Sequence, residues 1–212
     1  NDRDRRLRDM LQGLGPARND KRSERVALHL DDTEPSGFAS LRDVAAAIAA
    51  VKASGKQVVA FGDNFSQGQY LLAAQANEVY LDPMSQGGVM LEGLASYRQY
   101  FRGALQDKLG VDMHLFKVGE YKSAAEPYIL DGASPESKEA DLYWMNDIWQ
   151  RMLADIGKAR GIAPATLANL SNSLSEQVTA VNGDLAQLAL QQKLVTALKT
   201  REEVETLLAE RG

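Results

Sequence analysis

Cysteine is absent from the 212 residues, which excludes disulfides, thiolate metal sites and a cysteine nucleophile and is compatible with a reducing or an oxidising compartment. Histidine occurs only at His29 and His114, with no H-x-x-x-H spacing, and no acid-rich calcium loop is present, so no metal or other cofactor is expected. Long apolar runs are missing as well. The longest, Val44 to Val51, has eight residues dominated by alanine, against roughly 20 for a bilayer-crossing helix, so the sequence reads as a soluble piece. Positive charge is not in excess: the net charge is -5, which gives no electrostatic reason for a nucleic-acid partner. The first residue is Asn1 and no signal-peptide succession follows it, so anything N-terminal is expected to have been removed or to lie outside this sequence.

The apolar content of 44% supplies a substantial core, and one domain over residues 25–212 is expected behind a charged arm at 1–24. In the arm, Leu7, Met10, Leu11 and Leu14 recur at helical spacing before Gly13, Gly15 and Pro16 break the pattern, which predicts a short amphipathic helix and then a loop. The cluster Arg3, Arg5, Arg6 and Arg8 is interleaved with Asp2, Asp4 and Asp9, which is a solvated helix face more than a phosphate patch. Strands and helices then alternate: strand Val26–Leu30, helix Phe38–Lys52, strand Gln57–Phe61, helix Gln69–Gln75, strand Glu78–Leu81, helix Tyr97–Leu109 and strand Val111–Val118. That order predicts an α/β fold of βαβ units. Ser134-Pro135-Glu136 starts a helix reaching about Arg160, Pro164 and Gly183-Asp184 start two more, and Arg201–Glu210 forms a charged last one, with Lys193-Leu194-Val195 a short strand or loop between them. The C-terminal part is therefore expected to be helical.

Several residue types invite a chemical reading. The loop Gly62 to Tyr70 follows a β-rich run and precedes a helix, where α/β enzymes expose nucleophiles and backbone N–H groups, though glycine there also serves turn geometry, and the G-x-G-x-x-G spacing is absent. Ser66 as a nucleophile needs a proton acceptor, and His29 and His114, each inside an expected strand, read first as structural histidines. Asp31-Asp32, Glu136 with Glu139, and Glu202-Glu203 are the carboxylate pairs, at strand ends or helix faces where solvation is the default. Tyr143, Trp144, Ile148, Trp149 and Met152 share helical spacing and form a packing stripe, with a neighbouring subunit as the alternative contact. Lys122 stands after an apolar strand, between Gly119 and Pro127. It is either a solvated surface lysine or a general base, and a base must be neutral, which burial achieves by lowering an ammonium pKa by about 3 to 5 units.

Three stretches resemble a known family. Gly62-Asp63-Asn64-Phe65-Ser66-Gln67-Gly68-Gln69-Tyr70, Ala76-Asn77-Glu78-Val79-Tyr80-Leu81-Asp82-Pro83, and Phe116 through Tyr121-Lys122-Ser123-Ala124-Ala125-Glu126-Pro127 are similar to the N-terminal half of the bacterial signal peptide peptidase A (protease IV) family, over about Val26 to the C-terminus. The resemblance implies a ClpP/crotonase-like fold of repeated βαβ units. It implies a membrane-anchored protein on the periplasmic side of the inner membrane that cleaves remnant signal peptides, in a ring-like homo-oligomer. It also implies a serine/lysine dyad split between two similar halves, with Lys122 matching the general base. The family's nucleophile belongs to a Ser-Gly-Gly-Tyr motif of the C-terminal half, and the equivalent stretch here is Gln67-Gly68-Gln69-Tyr70. Ser66 lies one residue early, a rotation of about 100° at a helix start.

The chain is thus expected to carry the base without its nucleophile and to be inactive alone. Its partners would be apolar peptides and its own C-terminal half. A catalytically silent scaffold that assembles and encloses substrate is the second reading. A crotonase-type acyl-CoA enzyme using Glu92 or Glu120 is the third, because fold does not determine function.

Overall fold

The computed structural model describes residues 12–31, 38–93 and 135–211. The expected helix at 97–109, the expected strand at 111–118 with His114, and the residues Asp32, Glu120, Lys122 and Ser134 lie outside the described residues. Contacts divide the chain into two compact units, Asn1–Leu91 with Asp155–Gly212, and Glu92–Ala154.

The first unit is a mixed α/β arrangement on a parallel sheet. Strands β1 (Arg25–His29), β2 (Gln57–Gly62), β4 (Glu78–Leu81) and β6 (Ala197–Leu198) pair in the order β1-β2-β4-β6, every pair parallel. A second, two-stranded parallel sheet joins β3 (Phe65–Ser66) to β5 (Val89–Met90). The helices are α1 over 12–19, α2 (Phe38–Ala53), α3 (Gln67–Ala73), α4 (Pro135–Arg160), α5 (Pro164–Asn172), α6 (Leu174–Ala180), α7 (Leu185–Gln191) and α8 (Arg201–Glu210). Helix α4 belongs to the second unit up to Ala154 and to the first from Asp155 on.

Side chains alternate across a strand, so a strand apolar at every position must be covered on both faces. In β2 every residue from Val58 to Gly62 is buried. Val59 and Phe61 share one face with Tyr80 of β4, and α8 covers them with Val204, Leu207 and Leu208. Val58, Ala60, Val79 and Leu81 occupy the other face and are at most 1% exposed. Helix α2 buries Leu41, Val44, Ala45, Ile48 and Val51, the i, i+3, i+4, i+7 face of an amphipathic helix. Its Arg42 Nε donates to Asp155 Oδ2 of α4 at 2.9 Å, and its Nη2 to Oδ1 at 3.3 Å.

Long-range polar contacts fasten the C-terminal elements to the sheet. Tyr70 Oη donates to the Leu194 carbonyl at 2.6 Å, and burial pushes the phenol pKa up. Val79 N donates to Thr196 Oγ1 at 2.9 Å, and Thr196 N donates back to the Val79 carbonyl at 2.8 Å. Arg160 Nη1 donates to the Ala76 carbonyl at 3.0 Å, while its buried Nε has no hydrogen-bond partner. Arg211, after α8, grips Glu78 at the start of β4 with both terminal nitrogens, Nη2 to Oε1 at 3.0 Å.

Most expected elements within the described residues are present with ends shifted by a residue or two, and three differences stand out. Gly13, Gly15 and Pro16 do not form the expected loop: residues 12–19 are helical, with Leu14 buried at 4% exposure. Tertiary packing outweighs a glycine cost of about 1 kcal/mol each. Lys193-Leu194-Val195 is loop, one of its two expected forms, and a strand follows at Ala197–Leu198. Helix α6 is a further short helix that contacts the adjacent α7, and the β3-β5 pair joins segments distant in sequence. In the second unit, Ile148, Trp149 and Met152 are buried but Tyr143 is 81% exposed, so the stripe does not extend to it.

Removing the Tyr70 hydroxyl strands a buried carbonyl, so Tyr70→Phe is expected to lower the unfolding free energy by about 1 to 3 kcal/mol, measured by urea titration. Glu78 supplies a pH test. Hydrogen bonds from Arg211 hold its carboxyl below the ordinary value of 4.5. A depressed carboxyl pKa contributes stability above the unfolded value, lost as pH falls through the folded value. The midpoint difference between the protein and Arg211→Ala is therefore expected at neutral pH and should close as pH drops below about 4.5, read in thermal melts across an acid series.

Candidate functional site

Parallel pairing sends β1, β2 and β4 in one direction, so their C-terminal ends share one edge, where open α/β sheets place their ligand crevices. Each strand runs out into an aspartate: Asp31 two residues after β1, Asp63 after β2 and Asp82 after β4. Asp31 Oδ1 accepts from the Asp63 backbone N–H at 2.7 Å, and Asp31 Oδ2 lies 3.2 Å from His29 Nε2. Asp82 N donates to the Gly62 carbonyl at 3.1 Å. Burial, and then the negative charges of Asp31 and Asp82, push the Asp63 carboxyl pKa up against the opposing pull of His29 and Arg201.

The loop from Gly62 to Ser66 is clamped from the 85–88 segment. Ser85 Oγ donates to the Asp63 carbonyl at 2.7 Å, Gly88 N donates to Asn64 Oδ1 at 3.0 Å, and Phe65 N donates to the Gly88 carbonyl at 2.8 Å. Two glycines are required by contact distance. A Cβ on Gly87 would sit 2.1 Å from the Asp63 carbonyl oxygen, and one on Gly62 would sit 2.6 Å from Phe65 Cε1.

Ser66 has a structural task. It is the N-cap of α3: Oγ accepts from Gln69 N at 3.2 Å, and Gln69 Oε1 accepts from Ser66 N at 3.0 Å, a reciprocal capping box. Gln69 Nε2 also donates to the Leu30 carbonyl at 3.0 Å, tying the helix start to the end of β1. Gln67, at the first helical position, is 7% exposed. His29 pairs with Asp31, so the described contacts join the histidine to the acidic strand ends and join Ser66 to its own helix.

Of the carboxylate pairs expected from sequence, Asp31 stands in this cluster without a described Asp32. Glu202 and Glu203 are exposed on the first turn of α8, where Glu203 completes a capping box with Thr200. Glu92 is exposed. The grouping of Asp31, Asp63 and Asp82 was missed because the residues are far apart in the chain, yet a signal existed in the aspartate that closes each apolar strand. Among the described residues no group of three or more His, Cys, Asp or Glu is placed to hold a metal ion.

Comparison with known proteins bears on most of the chain. Residues 50–211 match Peptidase family S49. Protease 4 of Salmonella typhi is 39% identical over 202 residues, covering 95% of this chain and 32% of its own length. Protease 4 of Haemophilus influenzae is 33% identical over 201 residues, with 95% and 32% covered. The chloroplastic serine protease SPPA of Arabidopsis thaliana is 25% identical over 201 residues, covering 94% of this chain and 29% of its own length. The chain spans about a third of the length of these relatives.

The capping role of Ser66 makes a measurable statement. Ser66→Ala is expected to cost about 0.5 to 2 kcal/mol of stability through the exposed helix start, while Ser66→Asp, which keeps a capping oxygen, should recover most of it. Equilibrium unfolding of the two variants checks the order.

Proposed function

The chain belongs to peptidase family S49, and on that premise we propose that it is the base-bearing part of a serine peptidase whose nucleophile lies in a further, C-terminal half. The observation that carries the reading is the occupancy of the helix start after β2: Ser66 is spent on capping and Gln67 stands where the family motif has its serine. The Tyr121-Lys122-Ser123 block falls within the matched residues 50–211, and Lys122 is the proposed general base.

The chemistry follows from the two side chains involved. A serine hydroxyl needs a neutral acceptor within hydrogen-bond reach, and a desolvated lysine amine supplies one without histidine or aspartate. His29, paired with Asp31, is not needed. Attack on the scissile carbonyl forms a bond from serine oxygen to carbonyl carbon while the hydroxyl proton passes to the amine. The same proton then leaves with the departing amino group. The oxyanion would be met by backbone N–H groups around the nucleophile, in the other half.

The resemblance extends the proposal to the whole protein: a ClpP/crotonase-like domain over residues 25–212, membrane-anchored on the periplasmic side, acting on remnant signal peptides as a homo-oligomer. The parallel sheet flanked by helices supports that architecture. Relatives named as proteases favour this reading over an acyl-CoA enzyme.

In the full-length protein, Lys122→Ala is expected to reduce peptide cleavage by at least about 100-fold, the range of general-base catalysis, with the thermal melt unchanged. The 212-residue chain alone should show no cleavage. Turnover by the full-length variant at the parent rate would leave only an enclosing, non-catalytic role for this chain, and robust cleavage by the chain alone would overturn the split site.

A further inference from the structure

At the C-terminal edge of the sheet one carboxylate has two partners of different kinds. Asp31 offers Oδ1 to the backbone N–H of Asp63 at 2.7 Å and Oδ2 to His29 Nε2 at 3.2 Å. Neither partner is loosely placed. The imidazole leans on the Phe61 ring with centroids 5.4 Å apart and planes at 34°, so β2 packing sets its position. Gly62 leaves room for the carboxylate, since a Cβ there would sit 3.1 Å from Oδ1. The Asp31 side chain is 21% exposed and that of His29 is 38% exposed.

We propose that Asp31 is a positioning residue for the loop Gly62 to Ser66, and that the protonation state of His29 sets how firmly it holds. Histidine is the side chain whose charge changes in the neutral range. A protonated ring makes a charge-assisted contact with Oδ2, roughly twice as strong as a neutral one. A neutral ring leaves at most an ordinary hydrogen bond. Both oxygens belong to one planar group, so restraining Oδ2 restrains Oδ1 and with it the Asp63 amide. From Asp63 the restraint passes along the backbone: its carbonyl takes the Ser85 hydroxyl, and Gly87 lies against the same oxygen.

The other charged groups around this point are Asp63, Asp82 and Arg201. The direct link from ring to loop runs through Asp31. No atom of Lys122 enters, and the inference stands or falls apart from the peptidase reading.

The test is a pH titration of the isotope-labelled chain by NMR from about pH 5 to 8, the range in which histidine changes charge. The Asp63 amide proton is expected to shift in one step whose midpoint equals that of the His29 ring protons. Below that midpoint the amide should exchange more slowly, after correction for intrinsic rates. His29→Gln should abolish the step, and Asp31→Asn should leave the ring titrating while the amide no longer follows it. An Asp63 amide that does not move with the ring, or a step that persists in His29→Gln and so belongs to a carboxyl, overturns the proposal. Should Asp31→Asn fail to fold, the comparison of the parent with His29→Gln decides alone.

Discussion

Burial of β2 on both faces is the constraint on which the first unit depends. A strand with no solvent face can be satisfied only by neighbours that complete its ladder and by helices that cover each side. The parallel partners β1 and β4 supply the ladder, and α8 covers the Val59, Phe61 and Tyr80 face. Parallel pairing has a further consequence that an antiparallel sheet would not have. All strand exits lie on one edge, so Asp31, Asp63 and Asp82 converge although they are spread along the chain.

That convergence brings like charges together, and the structure answers it with backbone hydrogen bonds more than with cations. Asp31 is held by an amide and an imidazole, and Asp82 Oδ1 accepts from Met84 N at 2.7 Å. Asp63 has the backbone of its loop engaged on both sides, while burial first and the neighbouring carboxylates second push its carboxyl pKa up. The loop is therefore stiff at its main chain and charged at its tip. Such an edge suits the margin of a site, where main-chain geometry must be held.

The helix start after this loop is built for capping. The α3 N-terminus needs an acceptor for its first amides, and Ser66 with Gln69 provides a complete capping box. Gln67 and Gln69 are both buried, with Gln69 also bonded to the Leu30 carbonyl. Polar side chains that are satisfied internally and withdrawn from solvent are what a structural helix start requires. A nucleophile would need its hydroxyl presented outward.

Local pattern made much of this legible beforehand. The apolar runs at Gln57–Phe61 and Glu78–Leu81, the alanine-rich face of α2, Pro164 at the start of α5 and Asp184 before α7 all act through neighbours a few residues away, so their signals survive in the bare chain. Illegible were features made by distant partners. The helix over residues 12–19 and the β3-β5 pairing belong here, as do the bond from Tyr70 to Leu194 and the meeting of His29, Asp31 and Asp63. The sequence by itself determined the βαβ alternation and the family, through periodicity and the Tyr-Lys-Ser block. Only the tertiary structure decided that Ser66 is a cap and that Asp31 bridges a histidine to a loop, because the parallel register chooses which strand ends meet.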